Sequence, residues 1–152
     1  MADAESVTLS PAHAPQPRAV EAFALLEQRI KAELLKSRAH WAAHEPRMYA
    51  RVADVADAEL TAFDVRSGDL VSVRAGAVSY GTIIIGKIRL PRAGDDHYIH
   101  VRIHDPPDEE RSAKDVVFHS LFTNEARRAP GTQPSEYNAI MRAADELEFF
   151  DE

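Results

Sequence analysis

A chain of 152 residues with 45% hydrophobic and 28% charged side chains is long enough, and apolar enough, to fold as one ordinary domain with appendages, which excludes global disorder. It has no cysteine, so disulfide scaffolds, thiolate nucleophiles and cysteine-rich zinc or iron–sulfur sites are excluded together. The net charge is −7, and Asp145, Glu146, Glu148, Asp151 and Glu152 follow Arg142 without another base, a field that repels phosphate backbones and anionic lipid. Neither nucleic acid nor a membrane is therefore expected as a partner.

Residues 1–17 carry Pro11, Pro15 and Pro17 with no apolar period and read as a disordered tail. They lack the basic start and apolar run of a secretory signal, and no stretch reaches the roughly 18 apolar residues that span a bilayer, so a cytoplasmic or nuclear protein is expected. From residue 18 to 45 the pattern changes. Val20, Phe23, Leu26, Ile30, Leu34, Ser37 and Trp41 recur at three- and four-residue intervals with no internal Gly or Pro, which predicts one long amphipathic helix of about 40 Å ended by Pro46. Its apolar stripe either packs on its own domain or is offered to a partner protein or a second copy of the chain. Between residues 47 and 66, Met48, Tyr49, Val52 and Val55 allow a short second helix.

Residues 46–152 form the β-rich domain. Ser67-Gly68-Asp69 is a turn, Leu70 to Arg74 a strand, Ala75-Gly76-Ala77 a tight connection, and Val78 to Leu90 a strand rich in β-branched residues. His97 to His104 alternates, with Ile99, Val101 and Ile103 on one face and Tyr98, His100, Arg102 and His104 on the other, so one side is expected buried and the other wet. Asp105 to Lys114 reads as a polar loop, Val116 to Phe122 as a strand and Pro130 to Pro134 as a loop. Ser135 caps a predicted short helix through Met141, after which Leu147, Phe149 and Phe150 return to the core. The run Gly68-Asp69-Leu70-Val71-Ser72-Val73 followed by Tyr80-Gly81-Thr82-Ile83 resembles the opening hairpin of a small SH3-like or Tudor-like barrel, over about twenty residues. The fold class expected is α+β: the long helix, then a small antiparallel β-sheet or SH3-like β-barrel, then the short C-terminal helix.

Catalytic chemistry finds little footing. Gly81 to Lys87 has the glycine and lysine spacing of a phosphate-binding loop, but Ile88 stands where Ser or Thr would hold magnesium, and Thr82 to Ile85 favour an extended strand. His40 and His44 share a helix face without the glutamate or third ligand of a zinc site. His100 and His104 on one strand lie about 13 Å apart, too far for a single metal, and His97 faces the other way. Ser79 is in no nucleophile elbow, and the pairs Asp95-Asp96 and Glu109-Glu110 fall in predicted loops. No catalytic residue, metal ligand or cofactor is assigned. Tyr80 and Tyr98 are too few for an aromatic cage.

The remaining constellation is the polar face Tyr98, His100, Arg102 and His104, which His119 joins from a neighbouring strand. Arg102 is suited to grip a carboxylate or phosphate, and on a wet face Arg102→Ala should abolish binding while leaving the melting temperature nearly unchanged. The leading expectation is a non-catalytic protein–protein interaction module or complex subunit whose partner is another protein or a second copy. The alternative is a small enzyme or ligand-binding β-barrel whose mouth collects His100, Arg102, His104 and His119.

Overall fold

The computed structural model describes residues 8–107, 115–125 and 137–150. Pro17 occupies the first turn of α1 (Pro17–Leu25), where its missing N–H costs no hydrogen bond. At Leu26 the backbone leaves the helical range (φ −101°, ψ 2°), and α2 (Glu27–His44) begins. The single helix expected over 18–45 is thus two. The break re-aims the chain so that Glu27, the first residue of α2, accepts the Val65 amide at 2.7 Å, a bond from outside the helix that no periodicity reports. A 3-10 helix (Pro46–Val52), the short α3 (Asp57–Leu60) and a 3-10 turn (Val65–Ser67) lead into the sheet.

Four strands follow: β1 (Leu70–Ala77), β2 (Thr82–Arg89), β3 (Tyr98–Asp105) and β4 (Val117–Leu121). They pair antiparallel in the order β1-β2-β3-β4. β1 and β4 are its two edges, so among the described residues the sheet is open and no barrel closes. β1 runs through Ala75-Gly76-Ala77, the stretch expected to be the tight connection. The turn falls instead at Gly81, which takes φ +95° and whose carbonyl accepts the Val78 amide at 3.1 Å. From Thr82 to Arg89 the chain is ladder-bonded strand on both sides, consistent with its β-branched content and not with a phosphate loop.

Phe23, Leu26, Ile30 and Leu34 are buried in one cluster with Leu70, Val73, Ile84, Ile88, Ile99, Val101 and Ile103. The helical stripe therefore packs on its own sheet. Gly86 makes the close approach possible, since a Cβ there would lie 2.6 Å from Phe23 Cζ and 2.8 Å from Leu70 Cδ1. Gly86→Ala should accordingly lower stability by about 2 kcal/mol through overpacking, measured by urea unfolding; an unchanged midpoint would mean that α1 sits further from the sheet.

Two further segments depart from expectation. Inside the stretch read as a disordered tail, the Ser10 amide donates to Ala75 O at 2.8 Å, and His13 and Val73 exchange both backbone bonds at 3.0 and 2.9 Å along the outer edge of β1. In place of a helix through Met141, Tyr137–Asn138 forms β6, paired with β5 (Asn124–Glu125), and Met141 exchanges backbone bonds with Tyr98 at 2.7 and 2.9 Å. Those amides are committed to sheet partners, and Asn138 holds the Ile140 amide at 3.0 Å in a local turn, so no helical ladder is left to form. Ser135 lies outside the described residues. No helix among them is long and apolar enough to cross a membrane.

Candidate functional site: the strapped polar face of the sheet

Alternation along β3 sends Tyr98, His100, Arg102 and His104 to the face opposite the helices. The register places Lys87 across from His100, Ile85 across from Arg102 and Ile83 across from His104. On β1, Ser72 and Arg74 stand across from Lys87 and Ile85. On β4 a bulge between the partners of Arg102 and Ile103 inserts His119 beside Ser120, which turns both toward this face.

The face is not wet. His100 is 2% exposed and Arg102 1%, and Ile83, Ile85 and Lys87 are buried with them. Its cover is residues 142–150, a strap that opens in a turn closed by the Asp145 amide on Arg142 O at 3.1 Å and runs on without regular structure, with Leu147 buried and Phe149 and Phe150 half-buried. Basic side chains from three neighbouring strands hold the strap by its main-chain carbonyls. Arg74 Nη1 on β1 donates to Leu147 O at 2.8 Å, and Arg102 Nη1 on β3 donates to Phe150 O at 2.6 Å. Between them Lys87 Nζ on β2 donates to the carbonyls of Arg142 at 3.1 Å, Ala143 at 2.8 Å and Asp145. The Arg102 guanidinium also lies 4.9 Å from the Phe149 ring centre, and its Nε donates to His119 Nδ1 at 3.0 Å.

The five residues picked out by sequence are thus brought together, with His100 and Arg102 buried and Tyr98, His104 and His119 half-buried around them. The His104 ring stacks between Tyr80 and His119 with centroids 6.3 and 6.2 Å away, and its Nε2 bonds the Tyr80 carbonyl. Lys87 Nζ sits 5.6 Å from the centre of the Tyr98 ring. Burial pushes the His100 imidazole down to about 4; neighbouring Lys87 adds to the shift and Asp145 opposes it. His104 is lowered by burial too, against Asp105, and the Lys87 ammonium is lowered by burial against Asp145 and Asp96. Two polar atoms beneath the strap, His100 Nε2 and Ser120 Oγ, are buried without a hydrogen-bond partner.

Periodicity placed these side chains on one face but did not show that the face was covered, and it passed over Arg74, the role of Lys87, Phe122 stacked on His100 at 6.3 Å, and the strap itself. A signal existed. The apolar run Ile83 to Ile85 puts isoleucine on both faces of one strand, which requires a second layer, and Leu147, Phe149 and Phe150 were available to build it. Elsewhere, the rings of His40 and His44 are 4.4 Å apart, and among the described residues no three His, Cys, Asp or Glu side chains group to hold a metal ion.

A main-chain carbonyl is an acceptor that every peptide carries. A row of buried and half-buried cations aimed at such carbonyls is therefore chemistry for holding a segment by its backbone, largely irrespective of its side chains. No family model matches the chain, and no curated protein or solved structure is significantly similar to it.

Proposed function

We propose that the chain is a non-catalytic protein–protein interaction module, an adaptor or subunit of a cytosolic or nuclear complex, whose polar sheet face receives a segment of another protein. One observation carries this reading: Arg74, Lys87 and Arg102, on three adjacent strands, all donate to main-chain carbonyls of one covering segment, Lys87 to those of its opening turn. The helical stripe, the other candidate surface, is spent on the core. An enzyme or ligand barrel built on His100, Arg102, His104 and His119 gains less support, because Arg102 and His119 satisfy one another and the sheet is open among the described residues.

The test is selection of random peptides by display on the full chain and on a Leu147→Ser variant with a weakened strap. Enriched peptides should lose binding to Lys87→Met and keep it with Lys36→Gln, a change on the exposed side of α2. No enrichment on either protein would reject the interaction reading.

A further inference from the structure

The strap does not fit its own site completely. His100 Nε2 and Ser120 Oγ are buried beneath it without partners, although both can serve as donors and are diagonal neighbours on one face, Ser120 opposite Arg102 and His100 two residues before it. Native structures rarely leave such atoms unpaired, and an orphan pair beside three cations points to an absent anionic acceptor. Grooves of about 510 and 470 Å³ flank the strap, the first reaching Arg74 and Lys87 and the second Phe122. Ala144, Asp145 and Glu146 line both. Of the strap residues, Leu147 alone is fully buried, while Arg142, Ala143, Ala144, Glu146 and Glu148 are exposed. The strap is therefore held mainly by carbonyl contacts that a competing peptide can reproduce.

We propose that residues 142–150 are a cis stand-in for an acidic segment of a partner protein, which displaces them and sets a carboxylate against His100 and Ser120. This rests on the reading of the sheet face as a peptide receptor. The strap's own chemistry is the template for the partner: Glu146 and Glu148 alternate with apolar Leu147 and Phe149, Asp145 precedes them, and the strap's carbonyls rest on Arg74, Lys87 and Arg102. A partner segment of that kind keeps the carbonyl bonds to Arg74, Lys87 and Arg102 and adds two that the strap leaves unmade. Release of the strap is then the step that regulates binding.

The experiment uses the full chain and a fluorescent peptide of residues 142–150. Leu147→Ser should bind the peptide at least tenfold more tightly than the wild type, and a peptide with its three acids changed to lysine should lose at least tenfold. Should Leu147→Ser fail to melt cooperatively, Phe149→Ala, a half-buried position, replaces it. Peptides selected by display should be rich in acids and lose at least tenfold in affinity on His100→Phe, whereas the strap peptide, which leaves His100 unpaired, should not. Equal affinity of wild type and variant for the strap peptide would overturn the stand-in, even while display peptides still depend on Lys87. Selected peptides without acidic bias would overturn the partner's chemistry, and a stable dimer of Leu147→Ser by light scattering would make the occupant a second copy instead. Binding of no peptide by any folded variant would remove the receptor reading itself.

Discussion

Arg102→Ala should lower the melting temperature by about 6–12 °C, corresponding to roughly 3 kcal/mol in a domain of this size. The side chain is 1% exposed, and its truncation leaves the Phe150 carbonyl and His119 Nδ1 without their donor and the Phe149 ring without its cation. Buried acceptors that lose a charged donor cost more than the bond was worth, because water cannot reach them. The void left by the guanidinium and its stem adds a packing loss. Arg102→Lys should recover only part of the stability, since one ammonium cannot serve His119 and Phe150 in the planar geometry of the fork. Thermal melts followed by circular dichroism of both variants decide the matter. An unchanged melting temperature would return Arg102 to the exposed face that alternation alone predicts, with the strap detached in solution.

That reversal shows where sequence reading runs out. The residues facing the helices were legible because Phe23, Ile30 and Leu34 on one side, and Ile99, Val101 and Ile103 on the other, carry their burial in their own chemistry. The break at Leu26 was not, because no Gly or Pro marks it and the Glu27 bond to Val65 that accompanies it joins residues 38 apart in sequence, beyond the reach of helical periodicity. The hairpin turn was misplaced by five residues since Gly76 and Gly81 look alike in sequence, and only the positive φ at Gly81 tells them apart. The candidate site shows the same division. Which side chains share a face follows from a period of two, but whether that face is covered depends on a segment that packs across it. Here the covering segment is acidic and bonded through its backbone, so the side-chain pattern that marks it is confined to Leu147, Phe149 and Phe150.

His100 supplies the second large effect. Burial first and Lys87 second disfavour the charged form of its imidazole and push it from the ordinary 6.5 down to about 4 in the folded protein. A base whose folded pKa is depressed is held neutral by the fold, so the unfolded chain binds more protons between those two values. The stability tied to neutral His100 is complete above about pH 6.5, is lost progressively as the pH falls, and is gone below about pH 4, a total of roughly 3 kcal/mol. Carboxylates titrate in part of the same window, so the wild type alone cannot isolate this group. His100→Phe can: it keeps an aromatic ring against Phe122, removes the unpartnered Nε2 and cannot be protonated. Urea unfolding of both proteins from pH 7.5 to 4 should give a wild-type curve that falls more steeply, with the variant gaining about 3 kcal/mol on it across the window. Parallel curves would mean that His100 titrates in contact with water, and the strap could not then be closed over the sheet in solution.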